Sequence, residues 1–171
     1  MSEFLRVSTE NGLWKELVND WDEQCQSFSE SLDDYATASI PVLGALAGEP
    51  QRKYAGVYAI RDENGFAGVC QLNSTLLPKY NGMVLRVRHI VHAPRFDFED
   101  NLTVDEYSTV LAELLVGVYT VSNSEMQAPH IKFHFKSPAE RTYFDQLKNV
   151  MQEKTTFSSI QLQGSWLYIT K

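Results

Sequence analysis

The chain has 171 residues, of which 43% are hydrophobic and 22% are charged, and its formal net charge is −7 at pH 7. This length and composition are typical of a single globular domain, 1–171. The acidic balance argues against a nucleic-acid-binding protein, which needs a basic face, and no apolar run approaches the about 20 residues of a membrane helix.

The N-terminal segment "MSEFLRVSTENG" lacks the basic and apolar regions of a secretory signal. Cys25 and Cys70 form neither a disulfide framework nor a metal-ligand spacing, and the histidines have no carboxylate or cysteine context for zinc. We therefore expect a cytoplasmic protein without a metal or a membrane segment. The sequence leaves a homodimer open.

The first part of the chain predicts a strand followed by two helices. Phe4–Thr9 has the composition of a short strand. From Trp14 to Leu32 the apolar residues recur at intervals of three and four, which predicts a helix whose apolar side packs in the core. A shorter apolar segment, "SIPVLGALAGEP", follows and is broken by proline and glycine.

Three strands in a meander follow. "YAGVYAIR" and "FAGVCQLNSTLL" predict a hairpin, because Asn64-Gly65 between them supplies the residues that a tight turn requires. The turn "PKYNG" then leads into a third strand within "VLRVRHIVHAPRFDF".

The last part of the chain predicts a helix, a strand, a second helix and a strand or hairpin. Thr103 and Glu106 form a capping box at the start of the first helix, and Ser137 and Glu140 form one at the start of the second. Between these helices "HIKFHF" alternates as a strand does, and the chain ends in "SSIQLQGSWLYITK" with a turn or bulge at Gly164. This order predicts an α/β domain whose mixed, mostly antiparallel sheet has helices on both faces.

Charge is unevenly distributed along the predicted strands. Between Glu63 and Asp97 there is no acidic residue, whereas four basic residues occur there, Lys79, Arg86, Arg88 and Arg95. One explanation is a site for an anionic small molecule. The alternatives are that strands exclude carboxylates, since Asp and Glu are poor strand formers, and that the arginines pair with Glu63, Asp97 or Glu99.

Alternation along the third strand of the meander places Arg86, Arg88 and His92 on one face. Lys132 and His134 share a face of "HIKFHF", and the two faces together predict one site, in which Arg86, Arg88 and Lys132 contact an anion. His92, and after it His134, is a candidate general base, because a histidine can titrate near neutral pH. The alternative is that each histidine satisfies a local hydrogen bond.

Two short segments carry a family resemblance. "HIVHAPRF" resembles the end of the fourth strand of the GCN5-related N-acetyltransferase (GNAT) fold, and "KSPAERTY" resembles the family motif N-x-x-A-x-x-x-Y, with Lys136 where Asn is usual. The order of elements resembles the same fold over nearly the whole chain. The resemblance implies that the donor is acetyl-CoA or another acyl-CoA, which is an anionic small molecule. It also implies Tyr143 as the acid for the departing thiolate. It also implies a set of donor-binding residues: Arg95, Lys136, His89 and Ala93.

The segment that corresponds to the family's glycine-rich pyrophosphate loop departs from that pattern. Here it is "RFDFEDNLTVDE", which has no glycine and five carboxylates. Carboxylates at a helix N-terminus stabilise the helix dipole and repel a phosphate. A non-catalytic GNAT-like binding or assembly module therefore stands as the alternative to an acyltransferase. A subsidiary alternative is an enzyme like the acyl-homoserine-lactone synthases. The segment "YAIRDENGFAGVCQLNSTLLPKY" of this chain resembles the hairpin of those enzymes.

Overall fold

The computed structural model describes residues 2–153 and 157–171. A seven-stranded sheet forms the centre of the protein. Its strands are β1 (Glu3–Val7), β2 (Ala55–Asp62), β3 (Gly65–Leu76), β4 (Met83–His92), β5 (His130–His134), β6 (Ser159–Gln163) and β7 (Trp166–Thr170). The helices are α1 (Leu13–Ser27), α2 (Ile40–Ala47), α3 (Arg95–Phe98), α4 (Val104–Val121) and α5 (Pro138–Glu153).

The strands lie in the order β1-β2-β3-β4-β5-β7-β6. Neighbouring strands are antiparallel except for β4 and β5, which run parallel. This arrangement confirms the predicted mixed, mostly antiparallel sheet and the meander of β2, β3 and β4. It also places the single parallel pair at the centre of the sheet.

Helices cover both faces of the sheet, as the sequence predicts. On one face α4 and α5 pack on a cluster that includes Leu111, Phe133 and Phe144. On the other face α1 and α2 pack on a second cluster, in which the Trp21 indole donates a hydrogen bond of 2.8 Å to the carbonyl of Phe66. None of the helices in the described part of the chain combines the length and apolar character needed to cross a bilayer.

Both predicted capping boxes are present. The Glu106 carboxylate accepts from the backbone N–H of Thr103 at 2.8 Å, and the N–H of Glu106 donates to the Thr103 hydroxyl at 3.3 Å. At the start of α5 the Glu140 carboxylate accepts from the backbone N–H of Ser137 at 3.3 Å. These residues set the first turns of the two helices that flank the end of β4.

Several boundaries differ from the sequence prediction. β1 ends at Val7 because the Asn11 side chain accepts the backbone N–H of Ser8 at 3.0 Å and turns the chain. The α1 helix ends at Ser27, before the end of its apolar pattern, and the short helix α3 was not predicted. Gly164, with φ of 57°, lies in the turn between β6 and β7, so the C-terminal segment forms a hairpin.

A bulge in β4 changes which residues share a face. Arg88 pairs with Gln71 and Val91 pairs with Val69, so His89 and Ile90 together oppose the single residue between the two β3 partners. His89 accordingly has a φ of 50°. Because one extra residue reverses the alternation, the prediction that Arg86, Arg88 and His92 lie on one face is wrong. Ile90, which strict alternation would place on the face of the arginines, joins the α4-side cluster instead.

Candidate active site

A cleft opens where β4 and β5 separate. The two strands pair only from Val84 with His130 to Val87 with Phe133. Beyond this pairing lies a cavity of about 350 Å³. Its walls are the end of β4 (90–92), the segment 35–39 before α2, Asp97, Tyr107 of α4, and the start of α5 (Lys136, Ser137 and Glu140).

A buried serine links three walls of this cleft. Ser39 is the N-cap residue of α2 and is 2% exposed. Its hydroxyl oxygen lies 2.9 Å from Lys136 Nζ and 3.2 Å from His89 Nδ1. Because the ammonium can only donate, the hydroxyl proton is free to bond Nδ1 of a neutral His89. Burial, followed by the charges of Lys136 and Arg88, lowers the pKa of His89 and favours that neutral form.

His92 is buried at the end of β4. Its ring stacks on Tyr107 at a centroid distance of 4.1 Å, and its Nε2 atom has no hydrogen-bond partner among the described residues. Burial alone lowers the pKa of His92 to about 4. The ring is therefore neutral at pH 7, and it presents a polar atom that only a ligand or a water could pair.

Tyr35 and Tyr107 both line the cleft. The Tyr35 hydroxyl lies 2.7 Å from the Asp97 carboxylate and 3.0 Å from the carbonyl oxygen of His92, so it ties the segment before α2 to the end of β4. Burial, with the charge of Glu140, raises the pKa of Tyr107 to about 12, and its hydroxyl is protonated at neutral pH. Phe96 packs edge-on against Tyr107, with the ring centroids 6.4 Å apart.

Tyr107 also separates the cleft from a second cavity. This cavity has a volume of about 210 Å³ and lies between the starts of α4 and α5, lined by Phe96, Leu102, Thr103, Val104 and Ala139 together with Tyr107. At its α4 side the Glu106 carboxylate already takes the backbone N–H of Thr103. The α4 N-terminus thus holds a protein carboxylate where a helix could otherwise bind a phosphate.

Arg95 lies away from the cleft. It is 9% exposed, its guanidinium lies 2.9 Å from the Asp62 carboxylate, and it donates to the carbonyl of Asn64 at 3.0 Å. These contacts hold the β2–β3 turn. Its predicted contact with donor phosphates stays a prediction, and it would have to compete with this ion pair.

Tyr143 and Ala93 both lie outside the lining of the cleft, Tyr143 against the edge of the core and Ala93 within it. The half-buried ring of Tyr143 packs edge-on against Phe144 with centroids 5.4 Å apart, outside the residues that line the cleft, and burial raises its pKa. Ala93 is fully buried and its N–H donates to the carbonyl of Ala67 at 2.9 Å. The structure brings neither residue to the cavity wall, and their predicted roles remain untested.

Arg86, Arg88, Lys132 and His134 lie half-buried on the sheet face opposite the α4–α5 cluster. Arg86 is the Cα partner of Lys132 across the β4–β5 pair. None of the four is paired with a carboxylate within the described ranges 2–153 and 157–171. The structural ion pairs considered as an alternative for Arg86 and Arg88 are therefore not formed with Glu63, Asp97 or Glu99.

Sequence reasoning missed three residues of this site, Ser39, Tyr35 and Tyr107. Ser39 had a local signal, because it directly precedes the Ile40-Pro41 start of α2 and serine before proline marks helix starts. The spacing of Tyr107 with Val110, Leu111 and Leu114 indicates only an apolar face of α4. Its position against His92 depends on the crossing of α4 over β4, which the sequence pattern does not encode.

The strand order, the single parallel pair and the cleft at its end define the GNAT fold. A probable acetyltransferase from Staphylococcus epidermidis is similar over 100% of this chain and 99% of its own, with 11% identity and a TM-score of 0.54. An N-acetyltransferase from Staphylococcus aureus is similar over 99% of this chain and 97% of its own, with 8% identity and a TM-score of 0.53.

A predicted acetyltransferase from Clostridium acetobutylicum, solved with acetyl-CoA, covers 86% of this chain and 88% of its own at 9% identity, with a TM-score of 0.48. No protein-family model and no curated protein sequence matches this sequence. At these identities the likeness shows the fold. The chain has the GNAT fold, and its structural neighbours are acetyltransferases.

Among residues 2–153 and 157–171, no group of three or more His, Cys, Asp or Glu side chains is placed to hold a metal ion.

Proposed function

We propose that the protein is an acyltransferase that moves an acyl group from an acyl-CoA-type donor to the amine of an acceptor. The observation that carries this proposal is the cleft at the separated ends of β4 and β5. There the backbone of residues 90–92 faces a cavity rather than a neighbouring strand, with a lysine at its edge. A volume of about 350 Å³ is at the lower end of the range for ligand pockets and suits the acyl-thioester end of a donor.

Donor phosphates must be bound without the usual helix N-terminus, because Glu106 caps α4. Lys136 is the cation best placed to bind a donor phosphate. Its ammonium lies in the cleft, where it donates to the Ser39 hydroxyl, and it pairs with no carboxylate in the described residues. His89 lies beside it and offers Nε2 as a neutral donor. Arg95 serves the β2–β3 turn in this proposal.

The reaction is a direct transfer that relies on positioning. The nitrogen lone pair of the acceptor attacks the thioester carbonyl carbon, the N–C bond forms, and the C–S bond breaks. The amine proton goes to a base, and the thiolate takes a proton from an acid.

Tyr107 is the proton donor that the geometry favours, because its hydroxyl is protonated at neutral pH and its ring lines the cleft. Tyr143 is the donor that the family resemblance implies. For the base, His92 is weak at a pKa of about 4. His134 lies on the sheet face opposite the α4–α5 cluster, the open face of the sheet. An acceptor approaching from that face would reach His134 first.

Isothermal titration calorimetry with acetyl-CoA and longer acyl-CoAs tests donor binding. We expect wild type to bind and Lys136→Ala to bind about tenfold more weakly, since a hydrogen bond to a charged group contributes about 1.5–3 kcal/mol. Lys148→Ala is the matched control, because Lys148 lies on α5, the helix that follows Lys136, and pairs with Asp145. No heat at millimolar donor from a correctly folded protein would overturn the proposal.

A second candidate is the non-catalytic binding or assembly module. The observation that favours it is the aromatic contact of His92, Tyr107 and Phe96. These rings lie between the cleft and the second cavity and narrow the space between the two. The variant Tyr107→Ala distinguishes the two candidates. Donor binding that appears only in Tyr107→Ala would mean that the wild-type cleft is closed, and it would support the module.

A further inference from the structure

A basic patch lies on the sheet face outside the cleft. Cross-strand partners share a face, so the pairing of Asn73 with Arg86, of Arg86 with Lys132 and of Lys132 with Tyr168 forms one row across four strands. Arg88, paired with Gln71, lies one step nearer the cleft. On this face the apolar cluster beneath α1 and α2 contains no residue from β5, β6 or β7 in the described part of the chain.

The charges of this patch repel one another. Burial and then the Arg88 guanidinium lower the pKa of Arg86, while burial and then Arg86 lower the pKa of Lys132. The Nε atom of Arg86 is buried and has no hydrogen-bond partner among the described residues. A buried guanidinium N–H without an acceptor is costly, and an incoming anion would supply one.

Lys132 is held in place by aromatic rings. Its Nζ lies 4.5 Å from the ring centroid of Trp166 and 4.7 Å from that of Tyr168, with Tyr80 at 6.0 Å. Cation–π contacts of this kind fix the ammonium without neutralising it. The ammonium is therefore held over these rings, on the strand next to Arg86, while its charge remains available to a ligand.

The backbone spacing of these basic residues fits one compact anion. The Cα atoms of Arg86 and Arg88, two residues apart on one strand, are separated by about 6.6 Å, and those of Arg86 and Lys132, on adjacent strands, by about 4.8 Å. Backbone spacings of this size allow three long cationic side chains on one face to contact a single group with two negative charges and several acceptor oxygens. A phosphate monoester has this chemistry, whereas a carboxylate, with one charge and two oxygens, meets it in part and offers fewer acceptors to the two guanidinium forks.

The patch leads into the cleft. Burial, together with the charges of Arg88 and Lys136, lowers the pKa of both His134 and His89. Because Lys136 lines the cleft and Arg88 belongs to the patch, the patch adjoins the cleft at these side chains. An acceptor anchored at Arg86 and Lys132 would therefore direct its other end toward the cleft.

We propose, on the basis of the acyltransferase function proposed above, that the acceptor is a small amine that carries a compact anionic group. Arg86, Arg88 and Lys132 bind this anionic group on the open face of the sheet. The amine reaches the thioester from the His134 side of the cleft.

The test uses three 2-aminoethyl compounds that differ in the group attached to the second carbon: O-phosphoethanolamine, β-alanine and ethanolamine. Their binding, and that of inorganic phosphate, is measured by NMR titration without any donor. We expect the phosphate or the carboxylate compound to bind at least about tenfold more tightly than ethanolamine, and the comparison between these two identifies the anion. Equal binding of all three amines would overturn the proposal.

Variants locate the binding. Arg86→Gln should weaken binding of the anionic amine about tenfold, and Arg86→Lys should restore part of it, because the charge returns without the planar fork. Arg61→Gln is the matched control, since Arg61 is an arginine of β2 whose side chain pairs with Glu3. Unchanged affinity in a folded Arg86→Gln would contradict the proposal. Because no donor is present, failure of donor binding and failure of the anion site are observed separately.

Discussion

At the scale of single residues, His92 has the most strongly perturbed histidine environment in the site. Burial without a compensating charge lowers its pKa to about 4, below the ordinary value of 6.5. At pH above 6.5 the ring is neutral in both folded and unfolded states. Between pH 6.5 and 4 only the unfolded state takes up the proton, so the free energy of unfolding falls as pH falls.

We expect this loss to reach about 3 kcal/mol below pH 4. The variant His92→Phe tests this prediction, because it keeps an aromatic ring against Tyr107 and removes the titrating group. Urea denaturation of wild type and variant from pH 7 to 4 should show a shallower decline for the variant. An NMR titration that places the His92 imidazole near its ordinary pKa would contradict this prediction.

The two tyrosines give a second prediction at this scale. If Tyr107 protonates the leaving thiolate, Tyr107→Phe should lower kcat about 10²-fold or more, because a positioned general acid contributes about 10²–10⁴. Tyr143→Phe is the matched change on α5 and should leave kcat within a few-fold of wild type. The reverse order would assign the acid to Tyr143, as the family resemblance implies.

At the scale of elements, the capping box of α4 is predicted to be structural. Thr103→Ala removes the hydroxyl that accepts the N–H of Glu106, and we expect it to lower the free energy of unfolding by about 1 kcal/mol. Thr109→Ala is the control, because its hydroxyl bonds only to the carbonyl of Asp105 within the same helix. Chemical denaturation of both variants measures the difference, and equal stability would contradict a role for the cap.

The helix starts and the β4 bulge differ in how far the local sequence encodes them. The starts of α4 and α5 could be predicted because caps act within one turn, so Thr103 with Glu106 and Ser137 with Glu140 are readable locally. The bulge at His89 could not, since it exists only in the pairing of β4 with β3. The error placed His92 on the wrong face, whereas Arg86 and Arg88, which precede the bulge, were grouped correctly.

At the scale of the whole molecule, the protein can be acidic overall and still carry a basic patch, because many of its carboxylates lie in a different region from Arg86, Arg88 and Lys132. The cavity around Arg95 has a volume of about 670 Å³ and is lined by several carboxylates, including Asp62, Glu63, Glu99 and Glu106. Arg86, Arg88 and Lys132 lie on the open sheet face instead. The sequence could predict a basic strip from the missing acids, but it could not show that Arg95 belongs to the acidic region.

The most direct test of the central claim is an NMR titration of isotope-labelled protein with acetyl-CoA. The proposed donor site predicts chemical-shift changes of the backbone amides of residues 90–92 and of Lys136 and Ser137, with saturation as donor is added. The absence of changes at millimolar donor, or changes confined to residues outside the β4–β5 cleft, would contradict the claim that this cleft binds an acyl donor.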